Sequence, residues 1–189
     1  MKYKITEEKL VFDQRFQIKK AKIIHDTFEQ NEIEIERLCF ERGDSVAIVL
    51  LESDTNNLLF TNQFRYPSIK EGDGWIIELT AGSLEIGDNI EDRVTKEVEE
   101  EIGYSLDKLE FVSSFFVSPG GSSERIHLYY SEVESSSKTS IGGGSKYEKE
   151  DIELIKIPTN KIGEFLELNK FRDAKTIIGI MWYMSNRMK

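Results

Sequence analysis

The chain has 189 residues, enough for one ordinary domain with a small appendage, and 39% of them are apolar, so a sizeable core can form. Its 35 acidic residues outnumber 25 basic ones, and a net charge of −10 disfavours generic binding to a nucleic-acid backbone. A charged fraction of 32%, no apolar stretch of bilayer length, no apolar signal core in 1–14 and the lone Cys39 exclude a membrane-embedded class, an intrachain disulfide and a Cys/His zinc cluster, and lead us to expect a soluble cytoplasmic protein with no membrane partner.

In chain order, Phe16, Ile18, Ala21, Ile23 and Ile24 form an extended pattern, and Ile33, Ile35 and Leu38 continue it after a turn near Gln30–Asn31. This sheet has few large apolar residues on its second face. We therefore expect a small N-terminal antiparallel β segment, 1–42, that needs a partner to cover it. The main domain, 43–189, opens with the unbroken apolar run Val46–Leu51, suited to a strand buried on both faces. Further strands are predicted over Leu58–Arg65, Trp75–Leu79, Leu109–Val117, Arg125–Val133 and Asp151–Ile157. Lys70–Gly74 reads as a loop, and the Ser/Gly-rich stretch Ser135–Lys146 as a mobile one. Helices are predicted over Ile90–Ile102, closed by Gly103, near Thr159–Leu168, and from Asp173 to about Arg187 with Ile177, Met181 and Met184 on one face. Strands and helices mix without βαβ regularity, which indicates an α+β class built on a mixed sheet.

The segment Ala81–Tyr104 is the informative one. On a helix, Ile90, Val94, Val98 and Ile102 fall on one stripe. Glu97, Glu100 and Glu101 stand at i, i+3 and i+4, so their carboxylates gather, and Glu101 lies within the apolar arc. Acidic runs on helices are usually solvated faces. Here the run abuts the apolar stripe, follows a Gly-containing turn and is stopped by Gly103. Carboxylates crowded and partly buried repel one another, and a hard divalent cation, Mg²⁺ or Mn²⁺, relieves that repulsion.

These residues resemble the Nudix box of the Nudix hydrolases, G-x5-E-x7-R-E-U-x-E-E-x-G-U, where U is apolar. Gly82, Glu97, Val98, Glu100, Glu101, Gly103 and Tyr104 match it at the correct spacing. Asp88 stands where the family has Glu, and Lys96 where it has Arg. Lysine supplies charge there but no planar fork. The resemblance implies an α/β/α sandwich, a metal shell of Glu97, Glu100, Glu101 and the Ala81 carbonyl, and hydrolysis of a nucleoside diphosphate linked to another group. It also implies a general base on the loop before Asp151–Ile157. Glu148 and Glu150 are the candidates, with Glu148 favoured.

Shorter matches point to the subfamily acting on ADP-ribose and nucleotide sugars: Gln63-Phe64-Arg65, and Ser118-Pro119-Gly120-Gly121 with Glu124. Asp173-Ala174-Lys175-Thr176, with Glu150–Glu153 and the Gly142–Gly144 tract, is more similar to the GDP-mannose diphosphatase branch. In this reading Arg65 clamps a phosphate, Gly120 and Gly121 admit close backbone approach, and Glu124 accepts from sugar or base donors. The expected substrate is a nucleotide sugar, GDP-mannose ahead of ADP-ribose. A non-catalytic nucleotide sensor is the alternative of a different class. The resemblance further implies a homodimer paired through the N-terminal β segment.

Overall fold

The computed structural model describes residues 1–188. In chain order the strands and helices of these residues are β1 (Tyr3–Asp13), β2 (Gln17–Asp26), β3 (Glu32–Glu41), β4 (Ser45–Glu52), β5 (Asn57–Phe64), a 3-10 turn at Tyr66–Glu71, β6 (Trp75–Glu78), β7 (Ala81–Ser83), α1 (Ile90–Ile102), β8 (Glu110–Phe116), β9 (Arg125–Val133), β10 (Ile152–Pro158), α2 (Ile162–Glu167) and α3 (Ala174–Asn186). Further short 3-10 turns lie at Ser135–Ser137 and Thr159–Lys161. They divide into two units, Met1–Asp44 with Phe116–Arg125, and Ser45–Phe115 with 126–188.

The first unit is the antiparallel sheet β1-β2-β3. β1 is exposed along its length, with Ile5, Leu10, Val11 and Phe12 all open to solvent. The unit is not the contiguous 1–42 segment expected from sequence. It runs to Asp44 and takes in Phe116–Arg125, because Phe40 N–H donates to the Gly121 carbonyl (2.8 Å) and Ser123 N–H to the Phe40 carbonyl (3.2 Å). A backbone pairing across eighty residues leaves no compositional trace.

The second unit is a mixed sheet in the order β10-β5-β4-β9-β8, with β6 on β5 and β7 on β4. β4 runs parallel to β9 and antiparallel to β5 and β7. Alternation along β4 builds two cores. Val46, Ile48 and Leu50 join Val94, Val98, Ile102 and Tyr104 from α1 and its exit. Ala47 and Val49 face the other way, joining Ile162 from α2 and Ile180 and Tyr183 from α3. This is the sandwich of helix, mixed sheet and helix that the sequence leads one to expect.

The α3 face agrees with expectation in part, since Ile177 and Met184 pack against the core, but Met181 does not. Met181 is 59% exposed, and the buried positions are Thr176, Gly179, Ile180 and Tyr183. Gly179 decides the rotation. A Cβ there would lie 2.7 Å from Leu79 and 2.8 Å from Val49, so its bare backbone is what meets the sheet. β7 was not foreseen, since three residues carry no period-2 signal. No helix among the described residues is long and apolar enough to cross a membrane.

Candidate metal centre and active site

Helix α1 is fixed at both ends. The Asn89 side chain caps its start, accepting from Glu91 and Asp92 N–H at 2.9 and 3.1 Å. Asp88 closes the preceding turn by accepting from Glu85 N–H at 2.9 Å. Gly103 ends the helix in the left-handed conformation, φ 78°, with its N–H on the Val98 carbonyl.

The terminal carbonyls of α1 are satisfied from a distance. Thr139 and Ser140 N–H donate to Gly103 O, Gly143 N–H to Glu101 O and Gly144 N–H to Glu100 O. Gly142, Gly143 and Gly144 all have positive φ. Instead of a free tether, the tract expected to be mobile forms a cap on the helix carrying the glutamates.

The glutamates themselves are unequal. Glu97 is 7% exposed and Glu101 only 3%. Glu97 lies across Gly82 of β7, where any Cβ would overlap its carboxylate. Its Oε1 has no hydrogen-bond partner. Arg93 Nη2 stands 2.5 Å from that oxygen, an approach of opposite charges without hydrogen-bond alignment. Glu101 Oε2 accepts a long bond from Ala81 N–H, 3.3 Å. Glu100 is more exposed and pairs with Lys96 at 3.6 Å. Among the described residues no three acidic, histidine or cysteine side chains converge tightly enough to hold an ion as they stand.

Burial drives the electrostatics. It pushes Glu97 up to about 7, against the pull of Arg93 and with help from Glu100 and Glu150. It pushes Glu101 well above the carboxylate range, aided by Glu97, Glu78 and Glu150. Glu150 is therefore electrically coupled to both buried glutamates. It is half-buried, and its Oε2 accepts from Ser145 N–H at 2.8 Å. Glu148 is exposed and is not among the leading contributors to either buried glutamate's shift.

Beside Glu101 lies a second charged group that the sequence did not disclose. Buried Glu78, at the end of β6, accepts from Arg65 Nε at 2.7 Å and from Lys175. Lys175 also reaches Asp173 at 3.0 Å. Burial would depress the Lys175 ammonium, but Glu78 and Asp173 overcome it and hold the group charged above its ordinary value. Asp173 caps α3 through Thr176 N–H, and the Thr176 hydroxyl accepts from Leu79 N–H at 2.9 Å. The Asp173–Thr176 segment is thereby tied to the strand leading into β7.

Gly120, Gly121 and Glu124 belong to the first unit. A Cβ at either glycine would meet nothing within 4 Å, and Glu124 Oε1 accepts from Arg42 Nε at 3.0 Å. Arg93 and Glu78 were missed. The only sequence signal for Arg93 is its place four residues before Glu97. For Glu78 there is none, because its partners come from the residue after β5 and from α3.

Comparison with known proteins agrees with this geometry. Residues 41–173 match the family model described as the NUDIX domain. The chain is 31% identical to the GDP-mannose pyrophosphatase of Salmonella arizonae over 189 residues, covering 97% of this chain and 96% of that one. It is 35% identical to the GDP-mannose pyrophosphatase of Cronobacter sakazakii over 144 residues, 75% and 74% of the two chains. A crystal structure of an ADP compounds hydrolase superposes with a TM-score of 0.76 at 15% identity, covering all of this chain and 97% of that one, and so shares the fold. With its glutamate helix, its sandwich and a family match over most of its length, this chain belongs to the Nudix family.

Proposed function

We propose that this protein is a divalent-metal-dependent nucleotide-sugar diphosphatase. It would hydrolyse GDP-mannose to GMP and mannose 1-phosphate, acting as a cytoplasmic homodimer. The observation that carries the reading is the burial of Glu97 and Glu101 together, with Glu97 Oε1 met by the Arg93 charge but by no aligned hydrogen bond. Such a pair is costly as it stands and suits a hard cation. Glu97, Glu101 and the Ala81 carbonyl would hold Mg²⁺ or Mn²⁺, with Glu100 joining on release from Lys96. The bound ion offsets the carboxylate charge, which otherwise repels a diphosphate, and lowers the pKa of a water. The substrate class rests on relatives named GDP-mannose pyrophosphatase that align over nearly the whole chain.

The chain's own groups supply the rest. Glu150 takes the proton of the attacking water, a role supported by its coupling to both buried glutamates. This reverses the sequence preference for Glu148. Arg65 presents positive charge at this end of the sheet, held in place by Glu78, which the buried Lys175 also meets. Glu124 is engaged by Arg42, so no substrate contact is assigned to it. Pairing of two copies is supported by the solvent-open apolar residues of β1.

Four results would bear on this. Incubation with Mg²⁺ and GDP-mannose, ADP-ribose, UDP-glucose or ADP-glucose should release product fastest from GDP-mannose, and Glu101→Gln should abolish it. No turnover on any of them would favour the sensor. Glu150→Gln should lower kcat by roughly 10²–10⁴-fold, while Glu148→Gln stays near wild type; the reverse ranking would restore Glu148. Light scattering at micromolar concentration should report twice the chain mass, and a monomer would refute the dimer.

The fourth concerns pH. A carboxyl raised in the folded state binds its proton more tightly there than in the unfolded chain, so stability falls as pH rises through the gap. For Glu97 the gap runs from 4.5 to about 7, on the order of 3 kcal/mol. The metal-free protein should therefore melt at lower temperature at pH 8 than at pH 5. Mg²⁺ should restore the loss, and Glu97→Gln should shrink the drop while leaving the share that Glu101 contributes. A metal-free midpoint that stays level or rises would contradict the assignment.

A further inference from the structure

We infer that Arg93 is the positioning residue of the metal centre, acting through Glu97, and that Lys96 has no share in that task. The inference rests on the metal-binding reading of α1 given above.

Arg93 and Glu97 stand one turn apart on the buried flank of α1, with side chains 20% and 9% exposed and Nη2 2.5 Å from Oε1. Helix stability gives a poor account of the pair. A cation this close to the helix N-terminus opposes the macrodipole, and Arg before Glu is the weaker order for an i, i+4 pair. Burial is a further cost, since Arg93 Nε has no hydrogen-bond partner. What the guanidinium does is hold the Glu97 carboxylate against Gly82, where Oε1 has no hydrogen bond of its own.

Lys96 has different surroundings. Its side chain is 55% exposed, and its partner Glu100 is 41% exposed at 3.6 Å. A solvated pair of that kind orients little. The planar guanidinium that a lysine at position 96 cannot supply is present one helical turn before Glu97.

The test is a double-mutant cycle of Arg93→Ala and Glu97→Gln, with Arg93→Lys and Lys96→Ala alongside. Mn²⁺ affinity is read from the paramagnetic resonance of the free ion, kcat and KM from GDP-mannose, and folding from the thermal midpoint. Arg93→Ala should weaken Mn²⁺ binding and lower kcat, each by about tenfold or more, with KM little changed. Arg93→Lys should recover part of the loss, and Lys96→Ala should cost far less than Arg93→Ala. In the Glu97→Gln background, Arg93→Ala should add nothing, since its route is already cut. A merely structural role would lower the thermal midpoint and leave Mn²⁺ affinity of the folded protein intact.

Wild-type Mn²⁺ affinity in folded Arg93→Ala, or an undiminished loss in the Glu97→Gln background, overturns the inference. So does failure of the unaltered protein to bind Mn²⁺. If the unaltered protein binds Mn²⁺ but hydrolyses no sugar nucleotide, the proposed function fails while the affinity cycle still decides the role of Arg93.

Discussion

The second unit is organised around an unfavourable arrangement: two carboxylates, Glu97 and Glu101, held out of water against a strand. Neither would be there by preference, because burial and mutual repulsion both act against their charge. The surroundings keep them in place. Val94, Val98 and Ile102 bind the same helix to the sheet, and Gly82 removes the side chain that would otherwise exclude Glu97. Packing of three aliphatic residues is strong enough to carry two polar ones with it. The result is a helix whose apolar stripe supplies the force and whose neighbouring arc supplies the chemistry.

The charged groups around this pair act at two levels. Arg93 lies within the same helix and meets Glu97 directly. Glu78 lies on β6, raises Glu101 by its charge, and is itself neutralised by Arg65 and Lys175. The cationic and anionic groups are thus interleaved, so the end of the sheet is not a simple acidic patch. A diphosphate approaching it would meet the partly exposed Arg65, just past β5, as well as any bound ion.

How much of this was legible beforehand depended on whether the cause was local. Helix α1 was readable to the residue, because a four-residue apolar repeat and a terminal glycine are both local signals. The burial of Glu101 followed from its angle on that helix. β4 was readable from its unbroken apolar run. The sequence did not reveal contacts between distant segments: Glu78 with Lys175, Phe40 with Gly121, and the Gly143 and Gly144 N–H groups on the α1 carbonyls. One position on the expected face of α3, Met181, was misjudged for a related reason. Hydrophobicity favoured Met181, whereas close approach to Leu79 and Val49 required Gly179. A glycine chosen for what lies opposite it looks, in sequence, like any other.

The cap on α1 also bears on where the chain tolerates foreign sequence. Ser/Gly-rich stretches are the customary place to splice in a reporter peptide or to open a circular permutant. Here lengthening 139–144 would pull donors away from four bonds at the end of the glutamate helix, and would shift Glu150 with them. The hairpin tip between β2 and β3 has no such duty. Its turn closes on itself through Thr27 and Asn31, and Phe28 is 93% exposed. An engineered graft belongs at that tip, and the stretch that looks most like a spacer is the one to leave uncut.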